Sequence, residues 1–161
     1  TYNMITGIST SSLFLRMPTE DAAVTVKELG AQTAEVFYQT FYEYRPEFSK
    51  MLAPKIDGLN VNSVHTLTSN FEPSLLSASR RARGDGLYWL DQVMRSAQLL
   101  GCKNYTFHGG MRVKGYYSDD FDELSAYLRE ALFFCARYGV RLCLENVSWC
   151  MYNRPINARA I

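Results

Sequence analysis

The sequence predicts an α/β fold of the (β/α) barrel type, in which parallel strands alternate with helices and only the first five strands are present. Three observations predict it. Short β-rich runs alternate strictly with longer helical runs, an order that implies parallel pairing through right-handed crossovers. The later strands each carry one bulky apolar face and one smaller, more polar face ending in a potential ligand, which suits a barrel clothed by helices. The first strand-to-helix turn has no G-x-G-x-x-G fingerprint, which weakens a doubly wound, dinucleotide-binding alternative.

The first strand is expected over residues 4–9. A helix follows over 18–29, with Glu20 and Asp21 in the first turn, where the macrodipole favours anions, and Gly30 at its left-handed end. The second strand spans 34–40. A weaker helix covers 47–59, interrupted by Pro54, which has no N–H to continue the ladder. The third strand runs over 61–66. In the next helix Leu87, Leu90, Val93, Met94, Ala97 and Leu100 recur at spacings of three and four, and Gly101 closes the run. Arg80, Arg81 and Arg83 lie at its start, against the dipole, and are expected to be a solvated basic turn. The fourth strand, 104–108, ends in Gly109-Gly110. A helix from Asp119-Asp120 to Tyr138, stopped by Gly139, leads to the fifth strand at 141–145. No linker, low-complexity tract or repeat divides the chain, so residues 1–161 form one domain.

The chain is 47% hydrophobic and 20% charged, ordinary values for a globular domain able to bury a core. Seventeen Lys and Arg against sixteen Asp and Glu leave a net charge of +1, no footprint for nucleic acid or an anionic membrane. No apolar run approaches the roughly 20 residues of a membrane span, and Thr1-Tyr2-Asn3-Met4 has no signal-peptide character. Cys102, Cys135, Cys143 and Cys150 form no CxxC pair and fall in apolar elements, as expected of reduced, mostly buried thiols in a cytoplasmic protein.

Strand parity locates the chemistry. His65 shares a face with Ser63 and Val61, opposite Val64. His108 shares one with Thr106, opposite Tyr105 and Phe107, and Glu145 shares one with Cys143, opposite Leu142 and Leu144. Parallel pairing brings His65, His108 and Glu145 together at the C-terminal rim, where barrel enzymes keep their active sites. Two imidazoles and a carboxylate suit a borderline cation such as Zn²⁺, Mn²⁺ or Co²⁺. A lone strand-end His is more often a structural hydrogen-bonding residue. Here, however, the only two histidines occupy equivalent ends of consecutive strands and a Glu takes the next.

The segments Ser63-Val64-His65-Thr66, Thr106-Phe107-His108-Gly109-Gly110 and Leu142-Cys143-Leu144-Glu145-Asn146 resemble the xylose isomerase-like TIM barrel superfamily. That group comprises sugar and sugar-phosphate isomerases and epimerases, and the endonuclease IV type of apurinic-site nuclease. The likeness runs from about residue 4 to residue 150. It implies a divalent metal (Zn, Mn, Co or Mg) and a small carbohydrate substrate. On the nuclease pattern His65 and His108 bind one metal and Glu145 bridges to a second. On the epimerase pattern Glu145 is both ligand and acid/base, and the histidines take substrate or supporting roles. The candidate catalytic groups are therefore Glu145 and His108, and the candidate metal ligands are His65, His108 and Glu145.

A complete barrel takes about 250 residues and eight strands, and the remaining ligands of the family come from later strands. The chain is thus expected either to continue into a C-terminal half or to complete its sheet by self-association, since bare strand edges invite pairing. Glu35, Arg112, Lys114, Asn146 and Trp149 are weaker candidates for substrate contact, and Asn146 also for orienting Glu145. Tyr116 and Tyr117 are expected to pack, with ring stacking on a sugar as the alternative. The leading expectation is a metal-dependent sugar or sugar-phosphate isomerase or epimerase working through an enediolate. The alternatives are a metal-dependent phosphodiesterase on abasic DNA, and a non-catalytic half-barrel that self-associates.

Overall fold

Five strands pair in parallel in chain order: β1 (Gly7–Ser9), β2 (Thr33–Tyr38), β3 (Asn60–Thr66), β4 (Asn104–Phe107) and β5 (Arg141–Leu144). They are joined by α1 (Thr19–Glu28), α2 (Pro46–Leu52), α3 (Glu72–Leu75), α4 (Arg80–Leu99) and α5 (Phe121–Arg137). The computed structural model describes residues 4–111 and 121–154. The sequential order is that of a (β/α) barrel wall and differs from a doubly wound sheet, which reverses its strand order.

The two faces of the sheet divide as strand parity predicts. Val36 and Tyr38 of β2, Val64 of β3, and Tyr105 and Phe107 of β4 join one buried cluster with Leu52 of α2, Leu90, Val93, Met94 and Ala97 of α4, and Leu128 and Ala131 of α5. On the opposite face the Ser63 and Thr106 hydroxyls both donate to Glu35. Truncating a side chain such as Leu90, fully buried in this cluster, costs about 2–5 kcal/mol.

Local departures from the expected elements have local causes. Residues 4–6 lie outside β1, and Met4 and Ile5 are exposed. The second helix stops at Leu52 and tightens into a 3-10 turn, Ala53–Ile56, because Pro54 cannot donate. The fourth helix begins at Arg80, where Ser79 Oγ accepts from the Ala82 N–H. Gly30, Gly101 and Gly139 all take positive φ just after helix ends. The expected helix start at Asp119-Asp120, with Arg112, Lys114, Tyr116 and Tyr117, lies outside the described residues.

One correction concerns β3. The β2–β3 register slips between Ala34 and Glu35, so that Ala34 faces Val61 and Glu35 faces Ser63, with Asn62 extra. An inserted residue reverses the alternation, and Val61 packs into the helix-side core with Val64 rather than sharing the face of His65. Ser63 and His65, beyond the irregularity, keep their predicted face.

Candidate active site

Strands β3, β4 and β5 deliver the three predicted ligands to one rim. His65 is the penultimate residue of β3, while His108 and Glu145 each follow immediately after their strands. The Glu145 N–H extends the ladder by bonding to the Phe107 carbonyl at 3.0 Å. Nε2 of His65 lies 3.1 Å from Nδ1 of His108, and Nε2 of His108 lies 3.0 Å from Oε2 of Glu145. The Thr68 hydroxyl also reaches His108 Nδ1, at 2.9 Å. His65 and Glu145 therefore engage opposite nitrogens of the His108 ring, and the three groups form a row. Among the described residues no group of three or more His, Cys, Asp or Glu is placed to hold a metal ion. The His108 side chain in the middle of the row is 6% exposed and that of Glu145 at its end 54% exposed, which leaves the carboxylate open to an incoming molecule.

Glu35 anchors the inner end. Its Oε1 accepts from the Ser9 hydroxyl at 2.8 Å, and its Oε2 from Ser63 at 3.0 Å and Thr106 at 2.8 Å. Burial alone would raise this carboxyl. The bonds from Ser9 and Thr106, the nearby His65 and the bond from Ser63 together outweigh burial and hold it below its ordinary value. His65 Nδ1 stands 3.8 Å from Glu35 Oε1, too long for a hydrogen bond. Burial pushes the His65 imidazole down to about 4, despite the neighbouring carboxylates, so the ring is neutral at physiological pH.

A cavity of about 540 Å³ opens beside the imidazoles, walled mainly by Phe37, Leu67, Pro73, Met111 and Trp149 with Thr68 and the two histidines. Of the weaker candidates, Trp149 lines this cavity with its ring 5.2 Å from that of His108. Asn146 is exposed next to Glu145. Glu35 lies under the row with both oxygens occupied by hydroxyls. Arg112 and Lys114 fall outside the described residues.

Sequence reasoning missed Glu72. It sits in the four-residue helix α3, too short for any periodic signal, and is wholly buried. Its Oε2 accepts the backbone N–H groups of His108 and Gly109 at 3.0 and 2.9 Å. Its Oε1 accepts from Tyr105 at 2.6 Å and Thr66 at 3.2 Å. Burial still pushes its carboxyl up to about 7.

Comparison with known proteins agrees with this architecture. The family model for the xylose isomerase-like TIM barrel matches residues 24–161. No curated protein matches the chain. Among solved structures, a D-tagatose 3-epimerase-like protein superposes with a TM-score of 0.76 at 20% identity, covering 98% of this chain and 60% of that one. An L-ribulose 3-epimerase gives 0.73 at 19% identity, with 98% and 56% covered. The 3-keto-D-glucoside 4-epimerase of E. coli gives 0.72 at 17% identity, with 98% and 62% covered. The chain thus spans a little over half the length of these structures, and at such identities they establish the fold.

Proposed function

The chain belongs to the xylose isomerase-like TIM barrel family, and we propose that it serves a metal-dependent isomerase or epimerase acting on a sugar or sugar phosphate. The observation that carries the proposal is the row His65–His108–Glu145 at three adjacent strand ends, with both imidazoles lining a ligand-sized cavity. Sugar epimerases among the structural neighbours support the same substrate class.

Glu145 is the group that moves the proton, because its carboxylate is half exposed while its Oε2 is held by His108. His108, buried between Thr68, His65 and Glu145, fixes the direction in which that carboxylate presents itself. Phe37, Leu67 and Trp149 exclude water and offer an apolar surface to the carbon face of a sugar. By donor chemistry two imidazoles and a carboxylate suit Zn²⁺, Mn²⁺ or Co²⁺ better than the oxygen-preferring Mg²⁺, and the row in which they stand would have to turn its rings to converge on an ion. His65, His108 and Glu145 are the residues of this chain that would hold such an ion. When bound, it supplies positive charge that stabilises the anion formed as a proton leaves carbon beside a carbonyl.

The four free thiols, three of them buried, support a cytoplasmic setting. No helix among the described residues is long and apolar enough to cross a membrane. Completion of the sheet by further strands, from a continuing chain or from a second copy, is supported by the exposure of Leu144 on β5 and Phe133 on α5.

The test is proton exchange. Incubated with Mn²⁺ and a panel of ketoses and ketose phosphates in D₂O, the protein should place deuterium on a carbon beside the carbonyl, and Glu145→Gln should abolish this. Absence of exchange with every sugar, together with cleavage of abasic DNA, would overturn the proposal in favour of phosphodiester chemistry.

A further inference from the structure

We infer that Glu72 is a positioning residue for the site: its buried carboxyl group clamps the chain at the end of β4 and so aims the His108 imidazole at Glu145. Strand β4 ends at Phe107. The next two N–H groups, of His108 and Gly109, converge on a single oxygen, Glu72 Oε2, at 3.0 and 2.9 Å. Two successive backbone donors aimed at one oxygen form a concave nest. The other oxygen is fixed independently by the Tyr105 hydroxyl at 2.6 Å and the Thr66 hydroxyl at 3.2 Å. Those two hydroxyls lie 2.9 Å from each other. Four hydrogen bonds from three directions leave the carboxylate no freedom, and it is 0% exposed.

The far side of the same turn is held as well. The Tyr152 hydroxyl donates to the Phe107 carbonyl at 3.0 Å. Gly109 takes φ 74°, and a side chain there would meet Leu76 Cδ1 at 3.1 Å and the Tyr152 ring at 3.2 Å. The backbone on either side of His108 is therefore pinned, and the ring it carries reaches Glu145 at 3.0 Å. Burying a carboxylate is an expensive way to end a strand. It is a fitting way to hold two N–H groups at a place where the adjacent side chain must not wander.

The inference rests on the reading of the His108–Glu145 rim as the reaction site, but its test needs no substrate. Amide hydrogen exchange and ring contacts are measured by NMR on the 161-residue chain, as wild type, Glu72→Ala and Glu72→Gln. In the wild type the His108 and Gly109 amides should exchange about 100-fold or more slower than unstructured amides. In Glu72→Ala those two amides should lose about tenfold or more of that protection, and the His108–Trp149 ring contact should weaken, while α4 amides stay protected. Glu72→Gln should restore both signals, since its carbonyl oxygen accepts the two N–H groups and its amide donates to the Tyr105 and Thr66 hydroxyls. Wild-type amides that exchange at open-loop rates would overturn the clamp, as would unchanged His108 ring contacts in folded Glu72→Ala. If Glu72→Ala does not fold, the wild-type rates and Glu72→Gln decide: loss of the ring contact in folded Glu72→Gln also overturns it. Failure of sugar proton exchange would sink the proposed function and leave these signals to judge the clamp by themselves.

Discussion

Replacing Glu72 with Gln isolates what it costs to ionise a wholly buried carboxyl. Burial pushes that carboxyl from its ordinary 4.5 up to about 7. At about 1.4 kcal/mol per pH unit, the difference corresponds to about 3 kcal/mol. The sign follows from proton linkage. The folded chain keeps the proton up to about pH 7, whereas the unfolded chain releases it near 4.5. Folding therefore takes up a proton between those values, and wild-type stability falls as pH rises through that window. Gln keeps the shape and the hydrogen bonds but has nothing to ionise. The stability of Glu72→Gln relative to wild type should thus rise by about 3 kcal/mol between pH 4 and pH 8, flattening at either end. Urea denaturation of both proteins at half-unit pH steps measures this, and His65 and the other titrating groups cancel in the difference. A difference that stays constant with pH, within about 0.5 kcal/mol, would refute the burial argument.

His65 should behave with the opposite sign. Burial holds its ring neutral down to about 4, against an ordinary 6.5, so its contribution to stability is complete above pH 6.5 and is lost as pH falls towards 4. Relative to His65→Gln the loss should reach about 3 kcal/mol in the same urea experiment, and parallel curves for the two proteins would refute it. Gly109→Ala should cost about 1–2 kcal/mol for the left-handed backbone alone, and more for the contacts with Leu76 and Tyr152. A calorimetric Tm equal to that of wild type would contradict this. The 161-residue polypeptide by itself should associate at micromolar concentration, because among the described residues β5 lies at the edge of the sheet, with its own Leu144 and Leu132 and Phe133 of α5 exposed. Sedimentation as a monodisperse monomer would count against that.

Element type and order were legible in the sequence because both depend on local spacing. The apolar positions of α4 repeat every three or four residues, and the strands alternate faces, whichever partners they later find. The convergence of His65, His108 and Glu145 was legible for the same reason, since each ends a strand whose apolar side chains mark the opposite face. What only the tertiary structure decided depends on neighbours distant in the chain. The slip at Asn62, which moves Val61 into the core, arises from pairing with β2 and leaves no mark on β3 alone. The arrangement of the site residues as a row reflects ring orientations set by Thr68 and by one another. Glu72, in a single helical turn before Pro73, has no periodic neighbour to announce it. Its role comes from N–H groups 36 and 37 residues away, which approach it only once β3 and β4 have paired. Periodicity is a property of a segment, whereas the partner of a buried polar group is a property of the whole packed chain.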